Sequence, residues 1–255
     1  LVQELLDKSL KGPEDVRKAL SAPVLGVLPK DPSPLRLGRG AQTEVEERLR
    51  AARTNVLHAL SHGARQVVVV TSAGPREGAS TTAAGLARVL ALSGHRVVLV
   101  GGDLRSPSAV GAPGAPGLAE VLVGTARLSQ VLVEGEVPGL ELLPAGDMPG
   151  NPSELLGGRN MSDLLHHLAA DRIVIIDAPP VCRFTDAVVL AEYAGGVLLV
   201  ARAGRTSAEE LREAALAVGQ GGGHMLGVVL TNVSDLGRGS RSAQTAVTHA
   251  ESATV

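Results

Sequence analysis

At 255 residues the chain is long enough to bury a substantial core, as one large α/β domain or as two smaller ones. Apolar residues make up 44% of it, but Phe184 and Tyr193 are its only aromatics, which argues against nucleic-acid modules that stack bases on aromatic rings. A formal net charge of −2 gives no basic field for DNA or an anionic membrane, and the lone Cys182 excludes a disulfide framework and a thiolate metal cluster, in keeping with a reducing compartment.

With so few aromatics the core must be built from Val, Leu, Ile and Ala, which suits helices packed on a parallel sheet. Residues 1–21 read as a helix broken by Gly12-Pro13, with Pro13 at the first helical position before Glu14-Asp15. Residues 22–29, "APVLGVLP", read as a short strand, and 30–41, with Pro32, Pro34, Gly38 and Gly40, as a linker. A helical pattern then runs from Glu44 to Leu60 and ends near Gly63. Beyond it, strands are predicted at 66–71, 96–101, 139–143, 172–177, 196–201 and 225–231. Helices are predicted at 80–93, 117–123, 126–133, 160–170, 185–193 and 206–218. This alternation implies βαβ units: a central, mostly parallel sheet with helices on both faces and Val67–Thr71 as an interior strand. Residues 236–255, rich in Ser, Thr, Ala and Gly, read as a disordered tail. The chain thus divides into an N-terminal helix, short strand and linker (1–41), an α/β domain (42–235) and the tail (236–255). No run approaches the roughly 18 apolar residues of a membrane span. No signal peptide is visible and the first residue is Leu1, so the chain reads as a piece of something longer.

Three strand ends carry the chemistry. The first is "SAGPREGAST", residues 72–81, between the Val67–Val70 run and an alanine-rich helix. A strand, a Gly- and Pro-bearing turn and a helix opening on Ser-Thr is the layout of a loop whose backbone N–H groups cradle phosphates. Gly74, Pro75, Arg76, Glu77, Gly78, Ala79, Ser80 and Thr81, with Arg105 and Asn232 further along the chain, are the candidate nucleotide-binding residues. Gly78 permits close approach to an anion, Ser80 is placed to ligate Mg²⁺ and Thr81 to support a phosphate. The second end is "RVVLVGGDLRSPS", which delivers Asp103 and then Arg105; the third is "DRIVIIDAPPV", which delivers Asp177. Carboxylates at the carboxyl ends of parallel strands enter the crevice where such sheets bind ligands. Ser80, Asp103 and Asp177 form the candidate Mg²⁺ set, with Asp103 and Asp177 also the candidate catalytic carboxylates.

These pieces stand in a recognisable order. With "PEDVRKALSAPVLGVLP", "EVEERLRAARTNV", "GLAEVLVGTARLSQVL", "LELLPAGDMPGNPSELL", "TDAVVLAEYAGGVLLVARAGRTS" and "MLGVVLTNV", the chain from about Leu5 to Asp235 resembles the cytoplasmic domain of bacterial tyrosine kinases (BY-kinases) of the polysaccharide co-polymerase type. These are relatives of the partition and MinD ATPases. The resemblance implies ATP or ADP and Mg²⁺ as cofactors, and a place on the cytoplasmic face of the bacterial inner membrane. The implied partners are a transmembrane co-polymerase segment in cis or in trans and further copies of the chain, and no nucleic acid. "ERLRAAR" matches the family's E-x-x-R-x-x-R assembly pattern at Glu47, Arg50 and Arg53, which spacings of three place along one helix face.

The departures from the family matter as much. Its "PGEGKS" loop stands here as Pro75-Arg76-Glu77-Gly78-Ala79-Ser80, so Ala79 replaces the phosphate-bridging lysine and Arg76 a glycine. The first carboxylate of its Asp-x-Asp motif is Gly101, its base-reading asparagine appears as Thr231 with Asn232 one place on, and its terminal tyrosine cluster is missing. Loss of one charge-stabilising donor typically costs about 2.7–4 kcal/mol in such chemistry. The expectation is weak nucleotide binding and poor phosphoryl transfer by a regulatory and assembly module. Two alternatives stay open: an active protein-tyrosine kinase using Arg76 in place of lysine on a tyrosine of another chain, and, less favoured, a partition-type ATPase.

Overall fold

The computed structural model describes residues 8–30, 44–61, 65–106, 110 and 114–234. Residues 1–7, the predicted linker beyond Lys30 and the predicted tail lie outside these. The strands are β1 (Val24–Pro29), β2 (Val67–Ser72), β3 (Val97–Gly101), β4 (Val133–Glu134), β5 (Leu140–Leu143), β6 (Ile173–Asp177), β7 (Gly196–Arg202) and β8 (Met225–Val233). The helices are α1 (Pro13–Ala19), α2 (Glu44–Ser61), α3 (Ala79–Ala91), α4 (Leu118–Val123), α5 (Leu128–Val131), α6 (Pro152–Leu156), α7 (Arg159–Ala169), α8 (Asp186–Ala191) and α9 (Ala208–Gln220).

The eight strands form a single sheet in the order β1-β8-β7-β2-β6-β3-β5-β4. Every pair is parallel except β4 with β5. β2 lies between β7 and β6 and every one of its residues is buried, as its unbroken β-branched run predicts. Because successive side chains leave a strand on opposite faces, that one run feeds two cores. Val68 and Val70 pack with Leu49, Val56 and Leu60 of α2 and Leu86 and Leu90 of α3. Val67 and Val69 pack on the other face with Leu118 and Leu122 of α4, Leu165 and Leu168 of α7 and Leu211 of α9. A Cβ on Gly85 would meet Leu49 Cδ1 at 2.6 Å, so glycine there lets α3 press against α2.

The structure departs from the sequence expectations in four places. Residues 8–11, expected to be helical ahead of Gly12-Pro13, form no helix, and Ser9 makes an isolated antiparallel bridge to Ser207. The predicted helix at 126–133 shrinks to Leu128–Val131, because the chain turns at Val133 into the short antiparallel edge strand β4. "PSELL" forms the additional helix α6, opened by Pro152 at its first position. The N-terminal segment, set apart in the sequence reading, adds β1 to the sheet beside β8, and α1 packs on α9. The Asp15 carboxylate accepts from the N–H groups of Lys11 and Gly12 at 2.8 and 3.2 Å and so fixes the start of α1. Among the described residues no helix is long and apolar enough to cross a membrane.

The order β2-β6-β3 decides where the chemistry sits. Parallel pairing places Val70 opposite Asp177 and Gly101 opposite Asp177, so the three candidate strand ends emerge side by side with Asp177 in the middle.

Candidate phosphate-loop site

The loop between β2 and α3 is held from behind. Thr231 Oγ1 donates to the Glu77 carbonyl at 2.7 Å, and Arg202 Nη1 to the Arg76 carbonyl at 3.0 Å. Ser72 Oγ donates to the Gly74 carbonyl at 2.8 Å. Glu77 is 3% exposed, and its Oε1 accepts from Thr206 Oγ1 at 2.7 Å, which itself accepts from the Arg202 N–H at 2.8 Å. Burial raises the Glu77 carboxyl above the usual carboxylate range, against the pull of Thr206 and the Gly74 N–H. Gly78 then turns the chain with φ 100°, a left-handed value that glycine adopts freely, and caps α3. No side chain caps this helix, so its first N–H groups remain open to an anion beside Ser80 and Thr81.

The acidic half is built differently. Asp177 ends β6 at 1% exposure, and neither carboxylate oxygen has a hydrogen bond of ordinary geometry. Desolvation pushes its carboxyl up to about 7, the nearby Ser80 hydroxyl pulls it down, and the charge of Asp103 pushes it further up. Asp103 is half-buried; its Oδ1 accepts from the Arg105 N–H at 3.0 Å, and burial raises its carboxyl too. An orphaned buried carboxylate next to a second carboxylate and a hydroxyl is a donor set that a hard divalent cation would satisfy. Mg²⁺ suits it, because that ion keeps several waters and takes one or two carboxylates together with substrate phosphates. The described residues hold no cluster of three or more His, Cys, Asp or Glu side chains able to bind a metal by themselves.

Other candidate residues take roles that spacing alone did not show. The Arg105 guanidinium engages Asp186, with Nε to Oδ2 at 2.6 Å and Nη2 to Oδ1 at 3.0 Å. The same Nη2 also reaches Ser153 Oγ at 3.0 Å, and the group stacks 4.7 Å from the Phe184 ring centroid. Asp186 is fully buried, so Arg105 serves as its counter-ion and ties the loop after β3 to α6 and α8. Asn232 takes a left-handed φ of 61° and donates from Nδ2 to the Ala203 carbonyl at 3.1 Å. Ala79, at the lysine position, is the first residue of α3. At Gly101 a Cβ would lie 2.8 Å from the Ala145 backbone N, so the place of the missing carboxylate is occupied by the loop after β5.

On α2, Arg50 pairs within the helix, reaching Glu46 and Glu47 at 2.7 Å each. Arg53 Nη1 crosses to the Val89 carbonyl at 3.3 Å, whereas Glu47 stays 59% exposed. Glu46, which the assembly pattern skips, is the inward carboxylate of this helix at 6% exposure and faces Arg88 at 3.9 Å. Sequence reasoning missed Glu46, Arg88, Ser153, Asp186, Arg202 and Thr206. Of these only Asp186 carried a signal, an acidic residue in the first turn of a helix, and that pattern normally marks a helix start facing solvent.

No family model matches the chain. It is 36% identical over 188 residues to the tyrosine-protein kinase YwqD of Bacillus subtilis, covering 72% of this chain and 79% of that one. To the tyrosine-protein kinase CpsD of Streptococcus agalactiae it is 32% identical over 197 residues, covering 75% and 84%. A match to the tyrosine-protein kinase ptk of Acinetobacter johnsonii, 29% identical over 251 residues, takes in 91% of this chain and 34% of that longer one. Among solved structures, the chimerical protein CapA2B2 superposes with TM-score 0.82 at 32% identity, over 88% of this chain and all of that one. The kinase domain of the Escherichia coli tyrosine kinase ETK gives 0.81 at 27% identity, over 89% and 96%. MinD of Pyrococcus horikoshii, solved with Mg-ADP, gives 0.54 at 20% identity over 71% and 76%, a likeness of fold alone. On these matches, and on a loop, two strand-end carboxylates and a sheet order that bring them together, the chain belongs to the bacterial tyrosine-kinase (BY-kinase) family.

Proposed function

We propose that this chain is the nucleotide-binding domain of an exopolysaccharide or capsule chain-length system, working on the cytoplasmic face of the bacterial inner membrane as a regulatory and assembly module with impaired phosphoryl transfer. The observation that carries the reading is the contrast at the site itself. The cradle at Gly78–Thr81 is braced and open, while the lysine position is Ala79 and the first acidic position, Gly101, is closed by Ala145. Such a loop binds phosphate through backbone N–H groups and needs no lysine for that. Ser80, Asp103 and Asp177 would hold Mg²⁺ between protein and phosphates, and the ion would supply the charge that draws the phosphates into place. Transfer asks for charge on the moving phosphoryl group, and that is where this chain is deficient. Glu47 and Arg50, on the outer part of α2, would contribute to self-assembly into a ring, with Arg53 bracing the helix on α3. A transmembrane co-polymerase segment, on the same chain or another, is the second partner in this reading. Tyr193, the one tyrosine, donates to the Gly157 carbonyl at 2.8 Å just before β7 begins, at the pole of the sheet away from the loop. It is therefore not an acceptor within reach of its own site.

The test has two parts. Calorimetric titration should show measurable but weak binding of Mg·ADP, and mass spectrometry after incubation with Mg·ATP should find no phosphotyrosine. Phosphotyrosine on the unmodified chain would replace this reading with that of an active kinase.

A further inference from the structure

The phosphate loop lacks a lysine, yet it is not without a cation. Arg76 lies in its turn with φ 61°, and only one other non-glycine residue among those described, Asn232, has a positive φ. A side chain in the left-handed region is strained, and such strain persists only where neighbouring structure enforces it. Here the enforcement is visible: Arg202 Nη1 holds the Arg76 carbonyl at 3.0 Å, and the next residue, Glu77, is locked by Thr206 through its side chain and by Thr231 through its carbonyl. The Arg76 side chain is exposed, and its guanidinium makes no hydrogen bond or ion pair with another described residue. Arg205 lies close enough to act on the charge of Glu77, and Arg202 holds the loop backbone at Arg76. The same loop carries the open N-terminus of α3, with Ser80 beside the buried Asp177 carboxylate.

We infer that Arg76, held in a strained turn, supplies the positive charge on the terminal phosphate of a bound nucleotide that Ala79 cannot. The inference rests on the nucleotide reading and adds to it the residue that reads the charge of the phosphates. A guanidinium suits the task, since its planar fork matches two phosphate oxygens at once. It enters from the turn and not from the helix, so it grips the phosphates without standing where a transfer lysine stands. That separates recognition of the charge from its transfer.

The inference makes stability and affinity move in opposite directions. Arg76→Gly removes the cation and relieves the strained φ, so it should leave the melting temperature unchanged or raised. Its Mg·ADP affinity should fall by about ten- to a hundredfold, the loss expected for one charge-assisted contact. Adenosine binding should not change. Arg76→Lys should keep part of the affinity, and Arg76→Gly with Ala79→Lys should recover it through the helix instead. The measurements are calorimetric titrations with Mg·ADP, inorganic pyrophosphate and adenosine, together with thermal melts. Arg76→Gly protein that binds Mg·ADP and pyrophosphate like the wild type would overturn this inference alone. A drop in melting temperature accompanying the loss of affinity would also overturn it, because Arg76 would then be structural. A wild type that binds Mg·ADP no better than adenosine would overturn the nucleotide reading, and this inference with it.

Discussion

The two halves of the crevice are held by different physics. On the β2–β7–β8 side the phosphate loop is tied by hydroxyl and guanidinium groups to its own carbonyls, from Thr231, Arg202 and Ser72. Those bonds are internal to the protein, so the cradle keeps its shape without a ligand. On the β3–β5–β6 side the groups that matter are carboxylates in poor solvent. Asp177 is buried with no hydrogen bond of ordinary geometry among the described residues and Asp103 crowds it, while Asp186, equally buried, is neutralised by Arg105. One half is complete by itself, and the other is complete only with a cation or with protons. The cradle's shape therefore depends on bonds within the protein, and the state of the acidic side on what binds there.

The largest effect should come from breaking the one acidic pair that is already compensated. Arg105→Ala would strand a fully buried Asp186 and should cost about 3–5 kcal/mol in urea unfolding. A cost under ~1 kcal/mol would mean that Asp186 finds water or is protonated in the folded protein.

Next comes pH. The folded pKa of Asp177, about 7, lies above the ordinary aspartate value, so folding favours its protonated form. Its contribution to stability is full below the unfolded pKa of about 4 and is lost as pH rises towards 7, with a slope of up to ~1.4 kcal/mol per pH unit. Asp177→Asn should flatten that slope in melts between these limits and make the protein more stable than wild type at neutral pH. Mg²⁺ with ADP should stabilise the wild type and not the variant. An unchanged slope would show that the orphaned carboxylate is not what sets the acidic half apart.

Restoring the missing acid should fail for a steric reason. Gly101→Asp drives a Cβ to 2.8 Å from the Ala145 backbone, so it should destabilise by about 1–3 kcal/mol rather than strengthen Mg·ADP binding. Tighter Mg·ADP binding at undiminished stability would show that the loop after β5 yields. The smallest effect belongs to the braced half: Thr231→Val removes one of several ties and should cost about 0.5–1.5 kcal/mol, read by chemical denaturation. It should also loosen ADP, since Glu77 loses a restraint on its carbonyl.

Much of this molecule is legible in its sequence. The Val67–Val70 run declares a strand covered on both faces, because no residue in it tolerates water, and it proved interior. The loop at 72–81 declares itself because φ > 0, a helix start and Ser-Thr are local requirements met by neighbouring residues. The limits of the reading were equally physical. The helical periodicity of 126–133 continues past Val131, where edge pairing of Val133–Glu134 with β5 takes over. The pairing of Arg105 with Asp186 is not legible in the sequence, because the two lie 81 residues apart and no pattern links them.

By itself, then, the sequence determined the layered α/β class, the interior strand, the phosphate-loop turn and the identities of the groups that meet there. Each follows from residues close together in the chain: side-chain periodicity, glycine's access to positive φ, and the unsatisfied amides of a helix start. Only the tertiary structure decided which of those groups are compensated. It gave Asp186 an arginine and buried Asp177 without a hydrogen bond of ordinary geometry, closed Gly101 with Ala145, turned Arg53 inward to Val89, and set the exposed Arg76 in a strained turn. Burial and pairing depend on segments brought together from far apart in the chain, and the electrostatics of a site depend on both.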